Sequence, residues 1–180
     1  MDEDAALARS PGSAPTAIVV MGVAGCGKSI IGARLAAALD AVFIEGDRLH
    51  PPENVARMAR GEPLTDQLRE GWLDAIGARI TALAREGQGA VAACSALKRI
   101  YRDRLRGFRG DIVFLYLEID PVTAQRRVAN RKGHFMPASL VDSQFAILER
   151  PAVDERALTL DATRPVADIV TEAARVLAGS

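Results

Sequence analysis

The chain has 180 residues, 49% of them hydrophobic and 4% aromatic, and its 23 Lys and Arg balance 23 Asp and Glu. That is enough apolar material for one well-buried core. Zero net charge and few aromatics exclude a field or a stacking stripe that would hold the protein on nucleic acid or an anionic membrane. No apolar run approaches the roughly 20 residues that span a bilayer, and two cysteines, Cys26 and Cys94, are too few for a disulfide framework and fit a reduced, cytoplasmic setting.

Residues 1–16 are acidic at first, then rich in Ala, Ser, Gly and Pro, without the basic and apolar regions of a signal peptide, and are expected to form a disordered tail. Residues 17–180 are expected to form a single domain. From Ala17 onward, short apolar runs at 17–21, 42–45, 90–94, 112–117 and 158–160 alternate with helical patterns. That alternation predicts an α/β fold: a five-stranded parallel sheet between helices, a three-layer sandwich. Ile31, Leu35, Ala38 and Leu39 share one helical face; Leu73, Ile76, Ile80 and Leu83 share another.

After the first strand comes Gly22, Val23, Ala24, Gly25, Cys26, Gly27, Lys28 and Ser29, matching G-x-x-x-x-G-K-[ST] and followed by a helical pattern, and this stretch together with Ile30 is expected to bind the nucleotide. Glycines let successive N–H groups turn inward and cradle phosphate oxygens at the positive end of that helix. Lys28 is the expected partner of the β and γ phosphates of ATP, and the Ser29 hydroxyl the expected ligand of Mg²⁺. Cys26 is read as a passive loop residue.

The second strand ends Phe43-Ile44-Glu45-Gly46-Asp47, and extended backbone would aim Glu45 and Asp47 toward one side, facing the phosphate loop. Glu45 is assigned to the metal, and Asp47 to the hydroxyl that attacks the phosphorus. His50 follows where an imidazole could donate to a polyol, although such a residue is as readily a plain turn histidine.

Three blocks carry a resemblance: Gly46 through Met58 with Gly61-Glu62-Pro63-Leu64-Thr65-Asp66; Cys94-Ser95-Ala96-Leu97-Lys98-Arg99-Ile100-Tyr101-Arg102-Asp103; and Arg131-Lys132-Gly133-His134-Phe135-Met136-Pro137 through Ser143-Gln144-Phe145 to Leu148-Glu149 and Pro151. Together with the phosphate loop, and in one collinear order over about residues 17 to 178, they resemble the gluconokinase family of small P-loop sugar-acid kinases. The resemblance implies ATP-dependent phosphorylation of D-gluconate at its terminal hydroxyl, a nucleoside-monophosphate-kinase-like fold and a homodimer. It also implies roles in acceptor binding for His50, Arg57 and His134. The chain departs from the family pattern at Leu68, where a carboxylate is lost, and at Gly71, where a proline is lost.

A helix is expected to begin at Pro121 and to carry Arg127 and Arg131 four residues apart, on one face, an unfavourable pairing unless an anion lies between them. ATP phosphates would be that anion, and resemblance to small kinases implies that residues 122–145 form a helical lid, with Arg131 stabilising the transferred group. The same resemblance places adenine against the segment 161–165, which ends in Pro165. Ser95, Lys98 and Arg102 follow the third strand, where Lys98 and Arg102, one turn apart, could pair with a sugar-acid carboxylate or remain surface charge. A kinase of another small polyol acid, of the shikimate-kinase kind, and a non-catalytic ATP-binding regulatory module are the alternative readings.

Overall fold

The computed structural model describes residues 16–130 and 139–177. The sheet is formed by β1 (Ala17–Met21), β2 (Ala41–Glu45), β3 (Gly89–Ala93), β4 (Val113–Glu118) and β5 (Ala157–Asp161), in the order β2-β3-β1-β4-β5. Every pairing is parallel. All five residues of β1 and all five of β3 are buried, so both faces of the sheet centre are covered, as continuous apolar strand sequences require. The expected α/β architecture and strand positions hold to within a residue or so at each end.

The strands are joined by α1 (Lys28–Ala38), α2 (Pro52–Ala59), α3 (Asp66–Arg85), α4 (Arg99–Phe108), α5 (Pro121–Ala129), α6 (Ser139–Ile147) and α7 (Val166–Leu177). Helix α1 packs on α7, and α3 packs on α4. The strand order reverses direction at β1, whose neighbours are β3 and β4. In an open parallel sheet that reversal leaves a crevice at the carboxyl ends of the strands. The loop after β1 therefore emerges in the crevice, flanked by the segment after β3: Gly22 N–H donates to the Ser95 carbonyl at 3.2 Å.

Helix starts follow local chemistry. Asp120 accepts the Thr123 N–H at 2.9 Å and Pro121 opens α5, while Thr65 accepts the Leu68 N–H at 3.3 Å and opens α3. The two departures in α3 can now be placed. Leu68 packs with Met58, Leu64 and Leu140 in a small apolar cluster that ties α2 and α3 to α6, and its carbonyl accepts Asn54 Nδ2 at 2.8 Å. Gly71 faces open space, with nothing within 4 Å of an added Cβ. Gly71→Ala is therefore expected to stabilise the fold by up to about 1 kcal/mol, since alanine relieves the entropy cost of glycine in a helix interior. A higher urea midpoint at unchanged turnover checks this.

Among the described residues no helix is long and apolar enough to cross a membrane. The expected tail lies almost wholly outside the described residues, as do Arg131, His134 and the centre of the expected lid, 131–138.

Candidate active site

One cleft opens at the carboxyl ends of β1, β2 and β3. Its floor is the phosphate loop, with Ala24, Gly25, Gly27, Lys28 and Ser29; one wall carries Asp47, His50, Arg69 and Ser95, and the other Leu140, Ser143 and Gln144 of α6. Gly25 has φ +85°, and a Cβ there would lie 2.7 Å from the Ala124 carbonyl, so only glycine lets the loop lie against α5. Lys28 folds back over its own loop, donating to the Val23 carbonyl at 3.0 Å. Cys26 is fully buried, as expected of a passive loop residue.

The carboxylate pair is only half as expected. The chain does not stay extended past Glu45. It turns at once into a 3-10 helix, Gly46–Leu49, because Gly46 presses against β3 so closely that a Cβ would lie 2.1 Å from the Ala93 carbonyl. Alternation thus fails after Glu45. Asp47 reaches the cleft, whereas Glu45 is absent from its lining.

Trp72 holds this turn in place. Its Nε1–H donates to the Gly46 carbonyl at 2.7 Å, and its ring stacks on His50 with centroids 4.1 Å apart and planes 14° from parallel. Burial beneath Trp72 lowers the His50 pKa to about 4, the nearby Asp47 charge opposing that shift and Arg69 adding to it. The imidazole is therefore neutral near pH 7. Its Nδ1 is buried without a hydrogen-bond partner. An unmet acceptor there costs less than an unmet donor, so the proton belongs on Nε2.

On the opposite wall, Gln144 Oε1 accepts the Ala24 N–H at 2.7 Å, so α6 touches the phosphate loop directly. Arg127 Nη1 donates to the carbonyls of Ala162 at 3.0 Å and Gly25 at 3.4 Å, bridging the loop after β5 to the phosphate loop. Pro165 lies exposed just ahead of α7, and Ile30 is 47% exposed on α1, outside the cleft lining.

The basic groups expected to meet a substrate carboxylate are engaged elsewhere. Lys98 precedes α4 rather than sharing a helical face with Arg102, and its Nζ donates to Asp66 at 2.8 Å. Asp66 also accepts the Tyr101 hydroxyl, and these two bonds hold its carboxyl below the usual range. Arg102 is 0% exposed and forks onto Glu155 at 2.7 and 2.8 Å, with the Ala96 and Leu97 carbonyls taking further N–H groups. A guanidinium so engaged and fully buried is out of a ligand's reach, and the expectation for Arg102 is corrected on that ground. Arg57 pairs loosely with Glu62 at 3.5 Å, away from the cleft lining.

Three polar cleft residues were not singled out from the residues alone: Arg69, Ser143 and Gln144. For Arg69 a signal existed. It stands in helical register with Leu73, Ile76 and Ile80, a charge on the stripe that faces the core.

A family model described as an AAA domain matches residues 18–151. The thermosensitive gluconokinase of Escherichia coli (strain K12) is 41% identical over 155 residues, covering 86% of this chain and 83% of the relative. The gluconokinase of Gluconobacter oxydans (strain 621H) is 46% identical over 144 residues, 80% and 81% of the two chains. Among solved structures, a gluconokinase from Sinorhizobium meliloti 1021 superposes with TM-score 0.82 at 46% identity, over 92% of this chain and 93% of that one. The Mycobacterium tuberculosis APS kinase in complex with AMPPNP and APS shares the fold, with TM-score 0.70 at 18% identity over 93% of this chain and all of that one.

Proposed function

The chain belongs to the gluconokinase family, and from that premise we propose that it transfers the γ-phosphoryl group of ATP to the terminal hydroxyl of D-gluconate, giving 6-phospho-D-gluconate. The observation that carries this reading is the cleft in which a phosphate loop, with Lys28 and Ser29, faces Asp47 and a neutral His50. Loop N–H groups and Lys28 bind and orient the phosphates. Asp47 aligns the acceptor hydroxyl and takes its proton, and His50 Nε2–H donates to a neighbouring hydroxyl of the polyol. Little else is required, because phosphoryl transfer is driven by positioning and charge stabilisation rather than by a covalent intermediate.

Among the described residues no group of three or more His, Cys, Asp or Glu is gathered to hold a metal. The Ser29 hydroxyl in the cleft lining fits magnesium, which is usually held by one or two protein oxygens together with substrate phosphates. Ser29 would hold it, and when bound the ion supplies positive charge to the β and γ oxygens. We assign residues 122–145 as a lid, supported by the contact of Gln144 with the phosphate loop. A cytoplasmic homodimer completes the reading.

The test is ADP release with Mg-ATP against D-gluconate, other aldonates, shikimate and no acceptor. D-Gluconate is expected to give turnover with 6-phospho-D-gluconate as product, and Lys28→Ala to reduce it by roughly 10²–10³-fold, the usual loss for a group stabilising developing charge. ATP binding without transfer to any acceptor would replace this reading with that of a regulatory module.

A further inference from the structure

Arg69 is 6% exposed, yet among the described residues it forms no ion pair with a carboxylate. Its Nε–H donates to the Leu64 carbonyl at a long 3.4 Å, and its guanidinium lies 5.6 Å from the centre of the Tyr101 ring. Of its neighbours in sequence, Glu70 pairs with Arg104, and Asp66, which feels the Arg69 charge without touching it, is hydrogen-bonded by Lys98 and Tyr101. Arg102, the other deeply buried arginine, shows what structural burial of this side chain entails: a forked carboxylate and two carbonyls. A guanidinium brings five N–H donors, and a buried cation with no carboxylate in direct contact is unfavourable. The position adds to the cost, because Arg69 stands in the first turns of α3, where the helix dipole repels a cation. Neither folding nor helix stability explains this charge. A ligand does, since Arg69 lines the cleft beside Asp47, His50 and Ser95.

We propose that Arg69 binds the carboxylate of the sugar-acid acceptor and so selects aldonates over neutral polyols of the same length. The inference rests on the sugar-acid kinase reading and names the group that makes it specific for an acid. Planar, forked donors match a carboxylate in two places, a fit lysine cannot reproduce. With Arg69 holding one end of the acceptor and Asp47 the reacting hydroxyl, the substrate is fixed at both ends, as in-line transfer requires.

The chain has one tryptophan, Trp72, stacked on the cleft residue His50, and its fluorescence reports acceptor binding without turnover. Wild type, Arg69→Gln and Arg69→Lys are titrated with D-gluconate and with D-glucitol, the uncharged analogue, and then assayed with Mg-ATP. Wild type is expected to prefer D-gluconate. Arg69→Gln is expected to weaken D-gluconate by roughly 30-fold or more, the scale for truncating one partner of a buried charge pair, with D-glucitol and ATP binding unchanged. Arg69→Lys is expected to fall between the two, and it keeps the test open if the glutamine variant does not fold. A gluconate-to-glucitol ratio in both variants equal to that of wild type would overturn the proposal, whether both affinities hold or both fall together. A wild type with no preference for the acid would overturn it as well. Selective, Arg69-dependent gluconate binding without phosphorylation would instead sink the kinase reading and leave the carboxylate site standing.

Discussion

Asp47→Asn is expected to lower kcat by about 10²–10⁴-fold, the range for loss of a positioned general base, while ATP affinity stays nearly unchanged. The substitution keeps the shape of the side chain and removes its charge and proton affinity. The turn that carries it is held from outside, by Trp72 Nε1–H on the Gly46 carbonyl and by the close seat of Gly46 on β3, so the backbone has no reason to move. His50 does not carry the effect indirectly. The Asp47 charge raises the imidazole pKa, so removing it lowers that pKa further below about 4 and leaves a ring that was already neutral near pH 7 still neutral. Steady-state kinetics paired with calorimetric ATP titration checks the split. Lost nucleotide binding would place Asp47 on the phosphate side, and intact turnover would remove it from the chemistry.

What the sequence made legible was local and repetitive. The spacing of Gly22 to Ser29 needs only one strand, one turn and one helix to become a phosphate cradle, and all three are read from neighbouring residues. The strands showed as apolar runs because burial on both faces leaves no polar position in them. Legibility ended where tertiary partners decide. Glu45 and Asp47 were expected to act together on the strength of strand alternation, but alternation ends where Gly46 meets Ala93. Spacing put Lys98 and Arg102 one turn apart and could not show that α4 starts after Lys98, or that Glu155, 53 residues downstream, takes the guanidinium. Leu68 looked like a loss at the acceptor site because its gain, contact with Met58, Leu64 and Leu140, comes from three separate segments.

Glu155→Gln is expected to destabilise the fold by about 3–5 kcal/mol at pH 7, the cost of leaving a buried charge without its counter-charge. Both side chains of the pair are 1% exposed, and Glu155 also accepts Arg106 Nη2 at 2.8 Å and the Ala152 N–H at 3.0 Å. The hydrogen bond from Arg102, with that from Arg106, outweighs burial, which acts to raise the Glu155 pKa, and brings it from an ordinary 4.5 to about 2. A carboxyl whose folded pKa is depressed contributes stability in full above its unfolded value and loses it as pH falls through the folded one. The gap between wild type and Glu155→Gln is therefore expected to be widest above about pH 4.5 and to narrow toward pH 2, which urea unfolding across that range reads directly. Replacing both partners with apolar residues, as in Arg102→Met with Glu155→Leu, is expected to recover most of the loss, because the penalty arises from the orphaned charge. Turnover need not return with it. Arg102 also ties down the carbonyls of Ala96 and Leu97, directly after the cleft residue Ser95, and Ala96 holds a left-handed φ of 42° there. A double variant that is stable yet slow would separate the two tasks of the pair: balancing its own charge, and fixing the loop that brings Ser95 into the cleft lining.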